Sequence, residues 1–280
     1  MYIIGIDIGG STTKICGFKI KDKTLIKPFF IKASDQISSL YGAFGKFTAD
    51  NKINLSEIKK IQITGVGSAF ITKDLSGIYG IPTQPVGEFE AIGRGGLYLS
   101  GLDEAVVVSM GTGTAIVKAE KNGKNIYLGG TGVGGGTLTG LSRMLVNVGS
   151  TENIIALAKD GDLKNIDLKI ADITKKDIIP GMPDHLTVSN FGKVSDLATK
   201  SDIALGIINM VFESVGMMGI FAARQFSLCD IVLTGNLTYI TQGTEIFGNL
   251  NKMYGVNFQI PDHARFGTVI GAALCAREMT

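Results

Sequence analysis

The 280-residue chain is poor in the residues that build metal centres and disulfide frameworks: it has three cysteines and two histidines. Cys16, Cys229 and Cys275 lie far apart inside apolar segments, with neither metal-ligand nor secretory spacing. They are expected to be buried thiols in a reducing cytosol. His185 follows Pro183-Asp184 and His263 follows Pro261-Asp262, so both read as loop hydrogen-bonders rather than catalysts. Positive charge is not concentrated either: 27 Lys and Arg stand against 25 Asp and Glu, with no dense basic block. That balance speaks against a nucleic-acid footprint and for small partners. Long hydrophobic runs are missing as well. The most apolar stretch, residues 203–226, contains Asn209, Glu213, Ser214, Arg224 and Gln225, which makes it a core helix rather than a membrane span. The first apolar run begins at residue 2, so no signal peptide is expected and a cytoplasmic chain is. With 45% hydrophobic and 19% charged residues, the chain can bury two cores, and two domains are expected.

What is present begins at once. Ile3-Ile4-Gly5-Ile6-Asp7-Ile8-Gly9-Gly10-Ser11-Thr12-Thr13-Lys14-Ile15 reads as a strand, a tight glycine turn and a returning strand, whose backbone N–H groups can converge on an anion. Asp7 ends a buried strand, where a carboxylate is expensive without a partner such as a metal ion. Lys14 can offer a point charge to phosphates in the turn. The design recurs at Ala105–Val117, with Gly111-Thr112-Gly113-Thr114 as its turn. A third strand, Asp230–Thr234, empties into Gly235-Asn236, an end that lets a ligand pack against backbone. These three motifs in this order resemble the actin-like ATPase and sugar-kinase superfamily. The resemblance implies an α/β fold of two ribonuclease-H-like lobes with mixed sheets, which clamp ATP in the cleft between them. The lobes are expected over residues 1–98, completed by 268–280, and over 99–267.

Along the chain, residues 16–32 complete a three-stranded meander. Residues 38–50 form a helix with Leu40, Phe44 and Phe47 on one side, and residues 60–67 are a strand running into a glycine turn. A short helix over 68–77 and an extended Ile81–Val86 follow. Glu88 and Glu90 flank Phe89 at a helix start. They are either charges favoured by the helix macrodipole or the source of a base that takes a proton from an acceptor hydroxyl. Arg94 pairs with Glu90 along that helix. Residues 128–141 hold a glycine string, expected to be a loop whose backbone approaches a ligand before Gly134–Gly136 open a helix facing phosphate or nucleotide. Asp172, Lys175, Lys176 and Asp177 read as a solvated face, and Pro180–His185 as a loop. A helix over 201–226 carries Met210, Met217, Met218, Ile207, Val211, Val215 and Phe221 towards the core, and part of its apolar surface is a candidate dimer interface. A helix over 244–254, a strand over 256–260 and a small-residue helix over 266–274 close the chain.

The phosphate hairpins, Gly87–Ala91, the glycine string, Asp167-Leu168-Lys169, Leu186-Thr187-Val188-Ser189-Asn190-Phe191-Gly192 and Gly267–Ala272 together resemble a type II pantothenate kinase over nearly the whole chain. That resemblance implies ATP- and Mg²⁺-dependent phosphorylation of the primary hydroxyl of pantothenate, in a cytoplasmic homodimer. It puts the general base on Glu88 and the metal-facing acid on Asp7. Nucleotide contacts fall on Gly9, Gly10, Ser11, Thr12, Lys14, Gly111, Thr112, Gly113, Thr114, Gly132, Gly134, Gly135, Gly136, Gly235 and Asn236. Acceptor contacts fall on Glu88, Thr112, Tyr127, Gly129 and Gly130. Two positions depart from the family. Tyr127 stands where an arginine holds the substrate carboxylate, and Ala115 where a serine is common. A phenol does not supply a guanidinium's charged fork. Lys124 and Arg143 are the cations near it in sequence, and a pantothenate site should have a cation within reach of the Glu88 pocket. The alternatives are a kinase for pantetheine, a sugar or another alcohol, and a non-catalytic ATP-binding regulator. A dehydratase activator of the same fold needs cluster-bridging cysteines that this chain does not arrange.

Overall fold

The structure is a computed structural model and describes residues 1–32, 35–70, 77–174 and 184–279. The elements run β1 (Tyr2–Ile8), β2 (Thr12–Lys19), β3 (Leu25–Lys32), α1 (Gln36–Asp50), β4 (Ile58–Thr64), β5 (Thr83–Pro85) and α2 (Glu88–Ser100). Then come β6 (Glu104–Met110), β7 (Thr114–Glu120), β8 (Ile126–Thr131), α3 (Gly135–Val146), α4 (Thr151–Ala158), β9 (Leu168–Lys169), α5 (Ile170–Ile173) and β10 (Thr187–Ser189). The chain ends with α6 (Lys200–Gln225), β11 (Asp230–Thr234), α7 (Gln242–Tyr254), β12 (Asn257–Gln259) and α8 (Gly267–Leu274). The expected short helix over 68–77 lies mostly outside the described residues, as do Lys175, Lys176, Asp177 and most of the expected loop at 180–185; a 3₁₀ turn at Val66–Phe70 is what the structure describes.

Two five-stranded mixed sheets share one plan. The first has the order β3-β2-β1-β4-β5 and the second β12-β11-β6-β7-β8. In each, an antiparallel meander is extended from its first strand by two parallel strands. Helices cover both faces of both sheets, which is why β1 and β6 read as near-continuous apolar runs rather than alternating ones. α1 buries Leu40, Phe44 and Phe47 on one face of the first sheet, and α8 covers the other with Val269, Ile270 and Ala273. α6 and α7 cover one face of the second sheet, and α2 the other through Ile92 and Leu97 against Val107, Val117 and Val232. Each fully buried Ile or Phe here contributes about 1.5–3 kcal/mol. The two units meet where α2 crosses α8. A Cβ on Gly95 would lie 1.8 Å from the Gly267 carbonyl oxygen, and one on Gly271 1.8 Å from that of Ala91. The helices therefore touch backbone to backbone.

Three expectations change. The glycine string is not one loop: residues 126–131 are β8, and only 132–134 link it to α3. Gly129 sits in that strand at φ +126° beside a register shift opposite Ile116 and Val117, an irregularity that hides the strand's alternation. Phe221 is 59% exposed because it faces away from the α6 core residues. Cys229 is exposed rather than buried, just before the second sheet's β11. α6 has the length and composition of a membrane crossing, but Ile207, Ile208, Val211 and Val215 are buried in the second core.

Candidate active site

The first glycine turn is closed by Gly9 N–H donating to the Thr12 carbonyl at 3.0 Å. One step back along the hairpin, Asp7 and Lys14 are direct cross-strand partners, and the ammonium stands 3.7 Å from the carboxylate. Both are 7% exposed. Burial pushes the Asp7 carboxyl above its ordinary range, and Lys14 opposes that shift. Gly65, at φ +87°, lets the chain pass close behind this pair: a Cβ there would fall 2.6 Å from Asp7 Oδ1 and from the Ile8 carbonyl oxygen. The neighbouring Thr64 hydroxyl, in register with Asp7, is buried with no hydrogen-bond partner among the described residues.

The second turn is braced differently. Gly111 N–H donates to the Gly113 carbonyl, while Gly135 and Gly136 at the start of α3 donate to the carbonyls of Gly111 and Thr112. Those two helix amides therefore hold the turn, so they are not free donors for a ligand. Thr114 Oγ1 donates to the Val133 carbonyl. The motifs meet across the cleft. The hydroxyls of Ser11 and Thr112 are 3.2 Å apart, and Asn236 Nδ2 donates to Thr12 Oγ1 at 3.4 Å.

Together they line a cavity of about 590 Å³ with Asp7, Gly9, Gly10, Ser11, Thr12, Lys14, Gly111, Thr112, Gly113, Thr114, Gly132, Gly235 and Asn236 on its walls. Glu88, Tyr127 and Gly130 line it too. A second space of about 570 Å³ shares the two turns and Asn236 and continues past Gly135 and Gly136. Gly129 and Gly134 line neither, although both belong to the segments that shape them.

The structure separates the two carboxylates at the start of α2. Glu90 bonds Arg94 and accepts from Asn125 Nδ2 at 2.9 Å, and it lines a different cavity. Glu88 has no hydrogen-bond or ion-pair partner among the described residues and faces the cleft. Desolvation raises its pKa, Asp7's charge raises it further, and Lys14 opposes both. A carboxylate without a partner beside two glycine turns is free to take a proton. Tyr127 stacks on Phe89, with ring centroids 3.8 Å apart and planes 10° from parallel. Lys124 and Arg143 do not line the cavity; Lys14 is its cation among the described residues.

Residues 105–253 match the family described as Fumble. The chain is 33% identical over 241 residues to a type II pantothenate kinase of Bacillus cereus strain AH820, covering 83% of this chain and 82% of that protein. It is 30% identical over 243 residues to a type II pantothenate kinase of Staphylococcus aureus strain USA300, covering 83% and 84%. The chain belongs to the type II pantothenate kinase family. Among solved structures, the activator of 2-hydroxyisocaproyl-CoA dehydratase from Clostridium difficile with bound ADPNP superposes with a TM-score of 0.68 at 16% identity, over 98% of this chain and 93% of that one. A ROK hexokinase from Thermus thermophilus superposes with 0.57 at 14% identity, over 98% of each. At these identities the likeness is one of fold, the actin-like ATPase and sugar-kinase fold expected from the motif order.

In this pantothenate-kinase family member two segments of the resemblance, Asp167–Lys169 and Leu186–Gly192, lie away from the cavity, whereas the glycine string lines it through Gly130 and Gly132. Asp167 is buried, accepts from Phe191 N–H and Asn209 Nδ2, and is pushed up in pKa by burial. Thr187 and Asn190 both donate to Glu213 of α6. This network ties the β9–β10 pair to α6. The cysteines make no cluster: Cys16 Sγ donates to the Val269 carbonyl, and burial raises the Cys275 thiol to about 11. The described residues hold no group of three or more His, Cys, Asp or Glu able to bind a metal. Ser109, Thr131 and Thr268 line the cavity without having been expected there. Their only sequence signal is a hydroxyl next to a predicted turn or helix start.

Proposed function

We propose that this chain is an ATP-dependent kinase that phosphorylates the primary hydroxyl of pantothenate to 4'-phosphopantothenate, the first step of coenzyme A biosynthesis. The observation that carries the reading is the unpartnered Glu88 carboxylate in one cavity with the Asp7–Lys14 pair and both glycine turns; the relatives' names supply the acceptor. The hydroxyl oxygen attacks the γ-phosphorus, its proton passes to Glu88, and ADP departs. The phosphates lie along Gly9, Gly10, Ser11, Thr12, Lys14 and Gly111–Thr114. The nucleoside extends past Gly132, Gly134, Gly135, Gly136, Gly235 and Asn236, and the acceptor sits by Glu88, Thr112, Tyr127, Gly129 and Gly130. Positioning and charge neutralisation carry most of the rate.

Mg²⁺ fits as an ion brought by the nucleotide, since it prefers one or two carboxylates plus phosphates and water; Asp7 is the residue to face it. When bound it neutralises charge on the transferring phosphoryl group. Lobes of residues 1–98 with 268–280 and of 99–267, meeting at α2 and α8, would flank this cleft. A cytoplasmic homodimer completes the reading, and exposed Met144, Leu145 and Phe221 are apolar surface available to it.

The test is ADP release by purified protein with pantothenate, pantetheine and sugars, and a Glu88→Gln control. Turnover that depends on pantothenate and is lost in the control supports the proposal. The neutral-alcohol reading is favoured by one observation: Lys14 is engaged with Asp7, and Tyr127 presents a ring. Stimulation by pantetheine alone would establish it, and nucleotide binding with no stimulation would leave a regulator.

A further inference from the structure

The space beyond the phosphate turns is walled by residues that no motif announced. Arg265 lies in the 3₁₀ turn Ala264–Phe266, just ahead of α8. Its guanidinium is 4.4 Å from the ring centroid of Phe30 on β3 and 4.5 Å from that of Tyr239. Phe30 belongs to the first sheet, whereas Tyr239 ends the 3₁₀ turn Asn236–Tyr239 that follows β11 of the second. A guanidinium set against two rings is held by cation–π contacts and acts through the donors those contacts leave free. Nε is buried and has no hydrogen-bond partner among the described residues. Unmet donors at such depth are rare, and the guanidinium that carries this one belongs to a residue lining the neighbouring cavity. Burial also lowers the guanidinium's pKa, with Tyr239 and Glu152 opposing. The backbone holds the residue in place, because Gly235 N–H donates to the Ala264 carbonyl. Arg265 is thus tied to the Gly235-Asn236 turn, and it lines the same space as Gly10, Thr112 and Gly136.

We propose that Arg265, held between Phe30 and Tyr239, is a nucleotide-binding residue that donates to acceptor atoms of the nucleoside and joins the two sheets around it. The proposal rests on the assignment of the turns to ATP phosphates. With the phosphates on the turns, the part of the nucleotide that reaches Arg265 is its ribose or base, both rich in acceptors. Phe30 lies in the first sheet and Tyr239 in the turn that follows β11 of the second, so filling the space draws on both units.

The experiment is calorimetric titration of the full-length protein with ADP, using wild type, Arg265→Ala and Arg265→Lys, followed by KM values for ATP and for the acceptor. Arg265→Ala should raise the Kd for ADP about tenfold and the KM for ATP in parallel, with the acceptor KM unchanged. Arg265→Lys should recover only part of the affinity, since an ammonium has no planar donor edge. A Kd within twofold of wild type in a folded Arg265→Ala protein overturns the proposal. If that variant fails to fold, an Arg265→Lys protein with unchanged ADP affinity overturns it instead. A rise in both KM values alike would reveal a purely structural residue and also overturn it. Wild type that binds ADP yet phosphorylates no alcohol sinks the kinase reading while the Arg265 contact is still judged by binding. Wild type that binds no adenine nucleotide sinks both.

Discussion

The two sheets repeat one topology, and the turns at the same place in each do different work. One register step before the first turn, Asp7 faces Lys14; one step before the second, Ser109 faces Ala115. All four residues line the same cavity. The first copy therefore brings a buried charge pair, and the second brings only backbone, a hydroxyl and a methyl. A second carboxylate at Ser109 would raise the cost of keeping Asp7 ionised and would repel phosphate. The second turn instead takes its rigidity from α3, whose first amides are spent on its carbonyls. A topology used twice is thus asymmetric in chemistry, with charge concentrated on one side of the cleft.

The comparison can be broken most directly by substitution at the paired positions. Asp7→Asn should lower kcat/KM by about three orders of magnitude, in the range for loss of a preorganised electrostatic group, while Ser109→Ala stays within about threefold; equal losses in an ADP-release assay would abolish the asymmetry. Next in size, Glu88→Gln should cut kcat by about two orders or more with ADP affinity retained. Glu90→Gln should instead spare kcat and lower the melting temperature, because Arg94 and Asn125 lose their shared partner. Near-normal turnover in Glu88→Gln would move the base elsewhere. A smaller effect is expected at the acceptor end. Tyr127→Arg should lower the KM for pantothenate about tenfold, the size of one charge-assisted hydrogen bond, and leave that for pantetheine alone.

The subtlest change is in the pH profile. As the proposed base, Glu88 must be ionised, and both desolvation and the Asp7 charge raise its pKa. Turnover should therefore fail on the acid side at a pH above the value of about 4.3 for a free glutamate. In residual Asp7→Asn activity that limb should move to lower pH, since one raising charge is gone; a limb that stays put would show that desolvation alone sets it.

Much of this was legible in the residues. The β1–β2 and β6–β7 hairpins are local, each a β-branched run, a glycine turn and a returning run, and they lie where the pattern puts them. α1 buries Leu40, Phe44 and Phe47 as their spacing predicts. Failures came where local pattern is silent. Glycines carry no side chain, so the string at 128–141 showed no alternation and concealed β8. Phe221 shares apolar character with the buried residues of α6, and the helix is amphipathic only in part. Glu88 and Glu90 are equivalent one-dimensionally, since both open the same helix.

The order of motifs and the hairpin pairing around each turn were determined by the sequence alone, because the hydrogen bonds that close a hairpin join residues only a few positions apart. Three features were left to the tertiary structure. The turns face each other through Ser11 and Thr112, 101 residues apart. Asn125 takes Glu90 out of the cleft from 35 residues away. Phe30 of the first sheet and Tyr239 of the turn after β11 close on Arg265. Such contacts form only where the two sheets pack together along α2 and α8, and their partners share no local pattern from which the pairing could be read.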